Sequence, residues 1–292
     1  MITFALAAAI SAAPIACDPL SGWDTVAEAA DGRFLVIGET HGTVEAPAAV
    51  AEYVCAASET RSILVAIEFT STSNDDFQRA WRLPHTEFAD ALRSEVPDWQ
   101  GREDGVASQA MFEMLVRLHA LKTAGREIAI VAFNGAKDDT QRAKFAHLPG
   151  QEPHEAAQAE NIRAGWEASA YHQAIVLVGA FHAEKASRPA GGGPAIRPMA
   201  MQVGAPEDVI SLRMVHEGGE NWGCQLDVAA DFDPTKPVTE DMVSCAAHPA
   251  GGWPSVPPSG FYLEHSPDKE AFDGVLALGP ISASPPAVPK KD

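Results

Sequence analysis

Phe34-Leu35-Val36-Ile37-Gly38-Glu39-Thr40-His41-Gly42 decides the fold. Four apolar residues in a row, without alternation, read as a strand covered on both faces. A carboxylate and an imidazole follow at its carboxyl end, between two glycines that permit close backbone approach. Thr43 is placed to cap a helix over Val44–Ser58, with Glu45 in the first turn, where the helix dipole favours an acid. Three more bursts repeat the pattern. Ile63–Ile67 ends on Glu68, Ile128–Phe133 ends on Asn134, and Ile175–Val178 runs into Gly179-Ala180-Phe181-His182. Apolar bursts alternating with amphipathic stretches predict an α/β domain of three layers. Its central sheet is mostly parallel, with helical insertions at the carboxyl rim of the strands.

In open parallel sheets ligands bind beyond the carboxyl ends of the strands. Here those ends deliver Glu39 and His41, Glu68, Asn134 and His182. Carboxylates set directly after apolar strands are costly unless solvated, paired or bound to a cation. Glu39, His41, Glu68 and His182 are therefore the candidate catalytic residues, and the same four are the candidate ligands if a metal is bound. Asn134, Glu160, Asn161 and Arg197 read as structural. His85, His119, His147, His154, His172, His216, His248 and His265 read as surface or core residues.

Missing motifs narrow the chemistry. The sequence has no G-x-S-x-G elbow, no H-E-x-x-H, no G-x-x-x-x-G-K-[ST] and no G-x-G-x-x-G. His154-Glu155 opens like a zincin motif, but Gln158 stands where the second histidine is needed. No serine or cysteine lies beside the four site residues in sequence, so a covalent nucleophile is not indicated. What remains is a histidine or carboxylate that activates water, alone or with a divalent metal such as Mn, Zn or Co.

The rest of the chain supplies the frame. The gap between the second and third bursts is far longer than one crossover helix needs. It reads as a helix over 74–83, an irregular lid-like stretch over 84–104 with Trp99, and an amphipathic helix over 105–124. Another helix is expected over 154–170. Beyond residue 183 come a mobile loop at Gly191-Gly192-Gly193-Pro194 and a strand over Val209–His216, with Trp222–Leu226 as its partner. An irregular segment follows over 246–260, then a last strand over Phe272–Leu278. Residues 17–280 read as one domain and 281–292 as a disordered Pro-rich tail.

Forty acidic against 21 basic residues give a net charge of −19. Phosphate backbones and anionic lipid are repelled at long range, which argues against nucleic-acid partners. The apolar run at 3–16 is too short for a transmembrane span but fits a signal-peptide core, so 1–16 read as a signal peptide of a periplasmic or secreted protein. Pro14-Ile15-Ala16-Cys17 is also a poor lipobox, which leaves a lipid anchor at Cys17 as a second option. Of the four cysteines, Cys224 with Cys245 is the first pairing expected in an oxidising compartment, and Cys17 with Cys55 would then tie the N-terminus to the first helix. A lipid on Cys17 would leave Cys55 free.

Phe34–Glu45 resembles the first motif of the erythromycin esterase-like proteins, whose superfamily also holds the ChaN-like haem-binding lipoproteins and the Tiki/TraB metalloproteases. Glu68 matches the second acidic position of that superfamily. Val178-Gly-Ala-Phe-His182-Ala resembles its later Gly-x-x-His motif, and Phe272-Asp-Gly-Val-Leu276 the closing strand of the esterase branch. The esterase resemblance implies that His41 is the base, oriented by Glu39 and Glu68, with His182 completing the centre. The Tiki branch implies a metal-dependent peptidase, and the ChaN branch haem binding at the outer membrane. The expected function is thus a hydrolase that cleaves an ester or amide in a small-molecule or peptide substrate. The alternative is a haem- or metal-binding envelope protein of the ChaN type, and a degenerate envelope interaction protein is a third reading. Haem would call for an aromatic-lined surface, for which Trp81 and Trp99 are the candidates.

Overall fold

The computed structural model describes residues 15–189, 194–227, 239 and 242–290. The signal-peptide core and the Gly191–Gly193 loop lie outside the described residues. Seven strands form one sheet: β1 Arg33–Glu39, β2 Ile63–Thr70, β3 Ile128–Asn134, β4 Gln173–Gly179, β5 Val209–Val215, β8 Gly260–Leu263 and β9 Gly274–Ala277. Their order is β3-β2-β4-β1-β5-β9-β8, and every pairing is parallel except the edge pair β8/β9. This is the α/β fold with a mostly parallel sheet that the sequence predicts.

The two faces of the sheet explain why the bursts do not alternate. Leu35, Ile37, Val65, Ile67, Ile175 and Leu177 face one core, built with α2 Glu45–Ala57 and α5 Gln109–Thr123. Phe34, Val36, Leu64, Ala66, Val176 and Val178 face a second core, built with α7 Glu152–Glu167 and Phe272. Successive strand residues point to opposite faces, so a strand buried on both sides is apolar throughout.

Several local expectations change. Residues 84–104 are not a lid. They form α4 His85–Glu95 and a 3₁₀ turn at Pro97–Trp99, with Trp99 in the core. Asp98 accepts hydrogen bonds from the Thr70 amide (2.5 Å), the Thr70 hydroxyl (2.7 Å) and Ser73 (2.8 Å), which ties this segment to the strand end that carries Glu68. Thr43 is not a helix cap, because Val44 takes the cap position without a side-chain bond. Trp222–Leu226 does not pair with β5. It belongs to β6 Gly219–Leu226, which forms a separate antiparallel ribbon with β7 Val243–Ala250, whose second half overlaps the segment read as irregular over 246–260.

The Pro-rich tail is not disordered over 281–290. Its carbonyls take up helix N-terminal amides, which have no partner within their own helix. Val44 donates to Ser282 (3.0 Å) and Gln109 to Pro285 (2.7 Å), while Ala110 donates to the Ser284 hydroxyl (2.9 Å). A segment poor in N–H donors can still supply acceptors. Both disulfides expected in sequence are present, Cys17–Cys55 and Cys224–Cys245. The bonded Cys17 sulfur has no valence left for a lipid thioether. Among the described residues no helix is long and apolar enough to cross a membrane.

One device protects the sheet. Strand β3 is an edge, and its outward backbone groups meet side chains of α3 Asn74–Trp81. Trp81 donates to the Ile128 carbonyl (3.4 Å), Gln78 donates to the Ile130 carbonyl (2.7 Å), and the Ala132 amide donates to Asn74 (3.0 Å). An open edge recruits other chains. The double variant Asn74→Ala, Gln78→Ala is therefore expected to associate, with size-exclusion chromatography showing dimers or larger species at concentrations where the parent is smaller. Unchanged elution would remove the edge-blocking role.

Candidate active site

The sheet places the site. Strand β4 lies between β1 and β2, and Glu39 pairs in register with Gly179, so Glu39, Gly179 and Glu68 sit side by side at the carboxyl rim. Glu39 and Glu68 are buried. His41, one turn beyond β1, folds back over them. Its Nδ1 lies 3.0 Å from Glu39 Oε1 and its Nε2 lies 3.3 Å from Glu68 Oε2. The Gly179 amide donates to Glu68 Oε2 at 2.8 Å.

A fifth residue completes the set. His182 Nδ1 lies 2.9 and 2.8 Å from the two carboxylate oxygens of Glu155, which is fully buried on α7 and also accepts the Met199 amide at 2.9 Å. His182 Nε2 then faces Glu68 Oε1 at 3.7 Å. The result is two carboxylate–histidine dyads, Glu39–His41 and Glu155–His182, each presenting Nε2 to the same carboxylate. All four residues singled out in sequence converge, and Glu155 was missed. A signal existed: residues 155, 158, 159 and 162 share one helix face, and all four are buried although two are polar.

The charges follow from this packing. Burial pushes Glu39 above the usual carboxylate range, partly offset by its bond to His41 and the His41 charge. For His41 burial works downward, but the Glu68 charge and the contacts with both glutamates outweigh it and set its pKa well above an ordinary imidazole. Burial also opposes ionisation of Glu68, yet His41, His182 and the Gly179 amide hold it down at about 2. His182 is raised as well, because the bond to Glu155 and its charge overcome burial. His41 is thus the firmer proton holder of the two.

The remaining sequence candidates are structural or peripheral. Asn161 bonds the Phe133 and Gly135 carbonyls, and Glu160 pairs with Lys144. Arg197 is exposed and reaches Glu152 at 3.9 Å. Asn134 accepts from Gln158 at the end of β3.

The donor types suit a divalent metal, since metal-bound histidines commonly hold a carboxylate on their other nitrogen. Their placement does not. The two Nε2 atoms address different oxygens of Glu68, and among the described residues no group of three or more His, Cys, Asp or Glu converges on one ion position.

No family profile and no curated protein sequence matches the chain. Among solved structures, a mutant of the erythromycin esterase EreC in its open conformation superposes with a TM-score of 0.57, at 11% identity, over 87% of this chain and 93% of that one. The chain has the erythromycin esterase-type fold. A succinoglycan biosynthesis protein shares it with a TM-score of 0.53, at 10% identity, over 80% of this chain and 75% of that one. The haem-binding ChaN of Campylobacter jejuni aligns with a TM-score of 0.38 and 11% identity, over 67% of this chain and 86% of that one. At such identities the likeness to the erythromycin esterase-type structures is one of fold.

The β6–β7 ribbon braces the turn that carries His41. The Trp222 amide donates to the Gly42 carbonyl at 2.8 Å, and Asn221 reaches the His41 carbonyl at 3.4 Å. Gly42 has φ 71° and turns its Cα against the Trp222 carbonyl, so no side chain fits there. Gly179 is required for another reason: a Cβ on it would stand 2.9 Å from His41 Nε2. Gly179→Ala is therefore expected to displace the imidazole and lower kcat by about 10²-fold, with a small change in Tm. Unaltered kcat would mean that His41 is not held in its working position here.

Proposed function

We propose that the chain is a hydrolase that cleaves an ester or amide bond by direct attack of water at the Glu39/His41/Glu68/His182/Glu155 centre. The observation that carries this reading is the pair of carboxylate–histidine dyads facing Glu68. Acid–base chemistry needs one group that takes a proton and one that gives it, in environments that set their pKa values apart.

His182 is the base in this reading. Its Nδ1 is committed to Glu155, which fixes the tautomer and leaves Nε2, 3.7 Å from the nearest carboxylate oxygen, to take the proton of the attacking water. His41 carries its proton between Glu39 and Glu68. It stabilises the oxyanion that develops on the carbonyl and returns a proton to the leaving alkoxide or amine. Glu68 lies between the two rings and resets the proton balance after each turnover. This exchanges the roles that the family resemblance implies for the two histidines.

The esterase named among the structures of this fold supports an ester as the first class to test. The net charge of −19 favours neutral or cationic substrates over polyanions. The two disulfides support an oxidising compartment, in line with a periplasmic or secreted protein. Trp81 and Trp99 lie in the core, where neither can line a haem cleft, which weakens the ChaN-type alternative. The test is turnover of neutral aryl esters and anilides by the purified chain, with its absorption spectrum recorded alongside. Turnover that falls by about 10³-fold or more in His182→Gln supports the proposal. A Soret band without turnover would replace it with haem binding.

A further inference from the structure

His154 stands at the mouth of the site. Its ring centroid lies 6.0 Å from that of His182, and the residue is exposed. An exposed histidine usually rotates freely, but this one is held by a buried amide. Gln158, fully buried one turn further along α7, places Nε2 at 2.7 Å from His154 Nε2 and at 3.0 Å from Asn134 Oδ1. A side-chain amide nitrogen has two hydrogens, and both are used here. With both amides oriented in this way, His154 Nε2 accepts and the ring proton sits on Nδ1, while Gln158 Oε1 is left without a partner among the described residues.

That second nitrogen is open. Among the described residues Nδ1 has no hydrogen-bond partner in the chain. The ring edge bearing it lies along Gly135, where an added Cβ would come within 3.7 Å of Nδ1. Burial of the inner edge pushes the ring toward neutrality, reinforced by the His182 charge and opposed by Glu155 and Glu68. The site thus has an N–H donor, fixed in direction from below and without a partner among the described residues.

We infer that His154 is a substrate-binding residue whose Nδ1–H donates to a carbonyl or hydroxyl oxygen on the part of the substrate that lies over the end of β3. This rests on the hydrolase reading, and it adds a substrate class: acyl groups with a hydrogen-bond acceptor near the scissile carbonyl are preferred over plain alkanoyl groups.

The test compares aryl esters of methoxyacetic and butyric acid, which match in length and differ in one ether oxygen. His154→Phe keeps a ring and loses the donor; His154→Asn keeps an N–H close to Nδ1. The parent is expected to prefer the methoxyacetyl ester. His154→Phe should raise KM for that ester about tenfold, with kcat and the pH profile unmoved, and His154→Asn should recover most of the loss. Equal KM in parent and His154→Phe overturns the inference, as does a His154→Phe variant whose main defect is in kcat with a displaced pH limb. If the parent cleaves neither ester, the hydrolase reading for this class has failed, and nitrogen-15 NMR of the imidazoles decides the donor by itself. A neutral Nδ1–H form at His154 near pH 7 supports it, and an Nε2–H form or an imidazolium overturns it.

Discussion

Glu155→Gln is expected to lower kcat by about 10⁴-fold while the protein stays folded, the loss known for the orienting carboxylate of a catalytic triad. The substitution keeps the shape, and the amide oxygen can still accept the Met199 amide that Glu155 holds at 2.9 Å. It removes the charge that fixes the His182 tautomer. An amide N–H facing Nδ1 puts the ring proton on Nε2, where the water must be activated. A purely structural role would not move the pH profile, but a positioning role must. Glu155 raises the His182 pKa through its hydrogen bond and charge, so the acidic limb of kcat/KM should shift to lower pH in Glu155→Gln. A variant with parental kcat and an unmoved limb would show that Glu155 only fills the core.

His41→Gln and His182→Gln are each expected to lower kcat/KM by about 10³–10⁵-fold, with the double variant no worse than either single one by more than a small factor, since residues that act as a unit are not additive. Both side chains are partly exposed at the rim, 25% for His41 and 19% for His182, so their loss does not open a cavity in the core. Removing His41 takes away the cation between Glu39 and Glu68 and leaves only His182 beside Glu68, and like charges in a buried site raise one another's pKa. His41→Gln should therefore also bind a proton on Glu39 or Glu68 near neutral pH, visible as a carboxyl stretch in difference infrared spectra against the parent. Full additivity of the two kinetic losses would mean that the dyads do not work on the same step.

The central parallel strands and four of the five central residues are legible in the sequence, because a strand buried on both faces leaves an unbroken apolar burst and its carboxyl end is then marked by Glu39, Glu68 or His182, whereas β7 and β8 leave no such burst. Glu155 is not legible in the same way. It lies on a helix, its local neighbours are the failed zincin residues His154 and Gln158, and only the sheet brings it under His182. The same local reading set His154 aside as an ordinary histidine. The 84–104 stretch reads as lid-like in sequence, whereas contacts from Asp98 to Thr70 and Ser73 fix it in place. The tail reads as disordered on composition, which does not show that its carbonyls meet the free amides of two helices. Pairing of Trp222–Leu226 with residues 243–250 depends on a partner strand hidden in a Gly/Pro-rich stretch.

The most direct test of the central claim is the pH dependence of kcat/KM for an aryl ester, measured on the parent and on both histidine variants. The base must be neutral, so activity rises with pH through the raised pKa of His182, and the acidic limb should lie above the ordinary imidazole value of about 6.5. The acid must hold its proton, so activity falls as pH rises through the still higher pKa of His41. A bell with both limbs, losing the acidic one in the residual activity of His182→Gln and the alkaline one in that of His41→Gln, is the predicted result. An acidic limb that survives in His182→Gln and vanishes in His41→Gln would contradict the assignment, and hydrolysis indifferent to both substitutions would contradict the site itself.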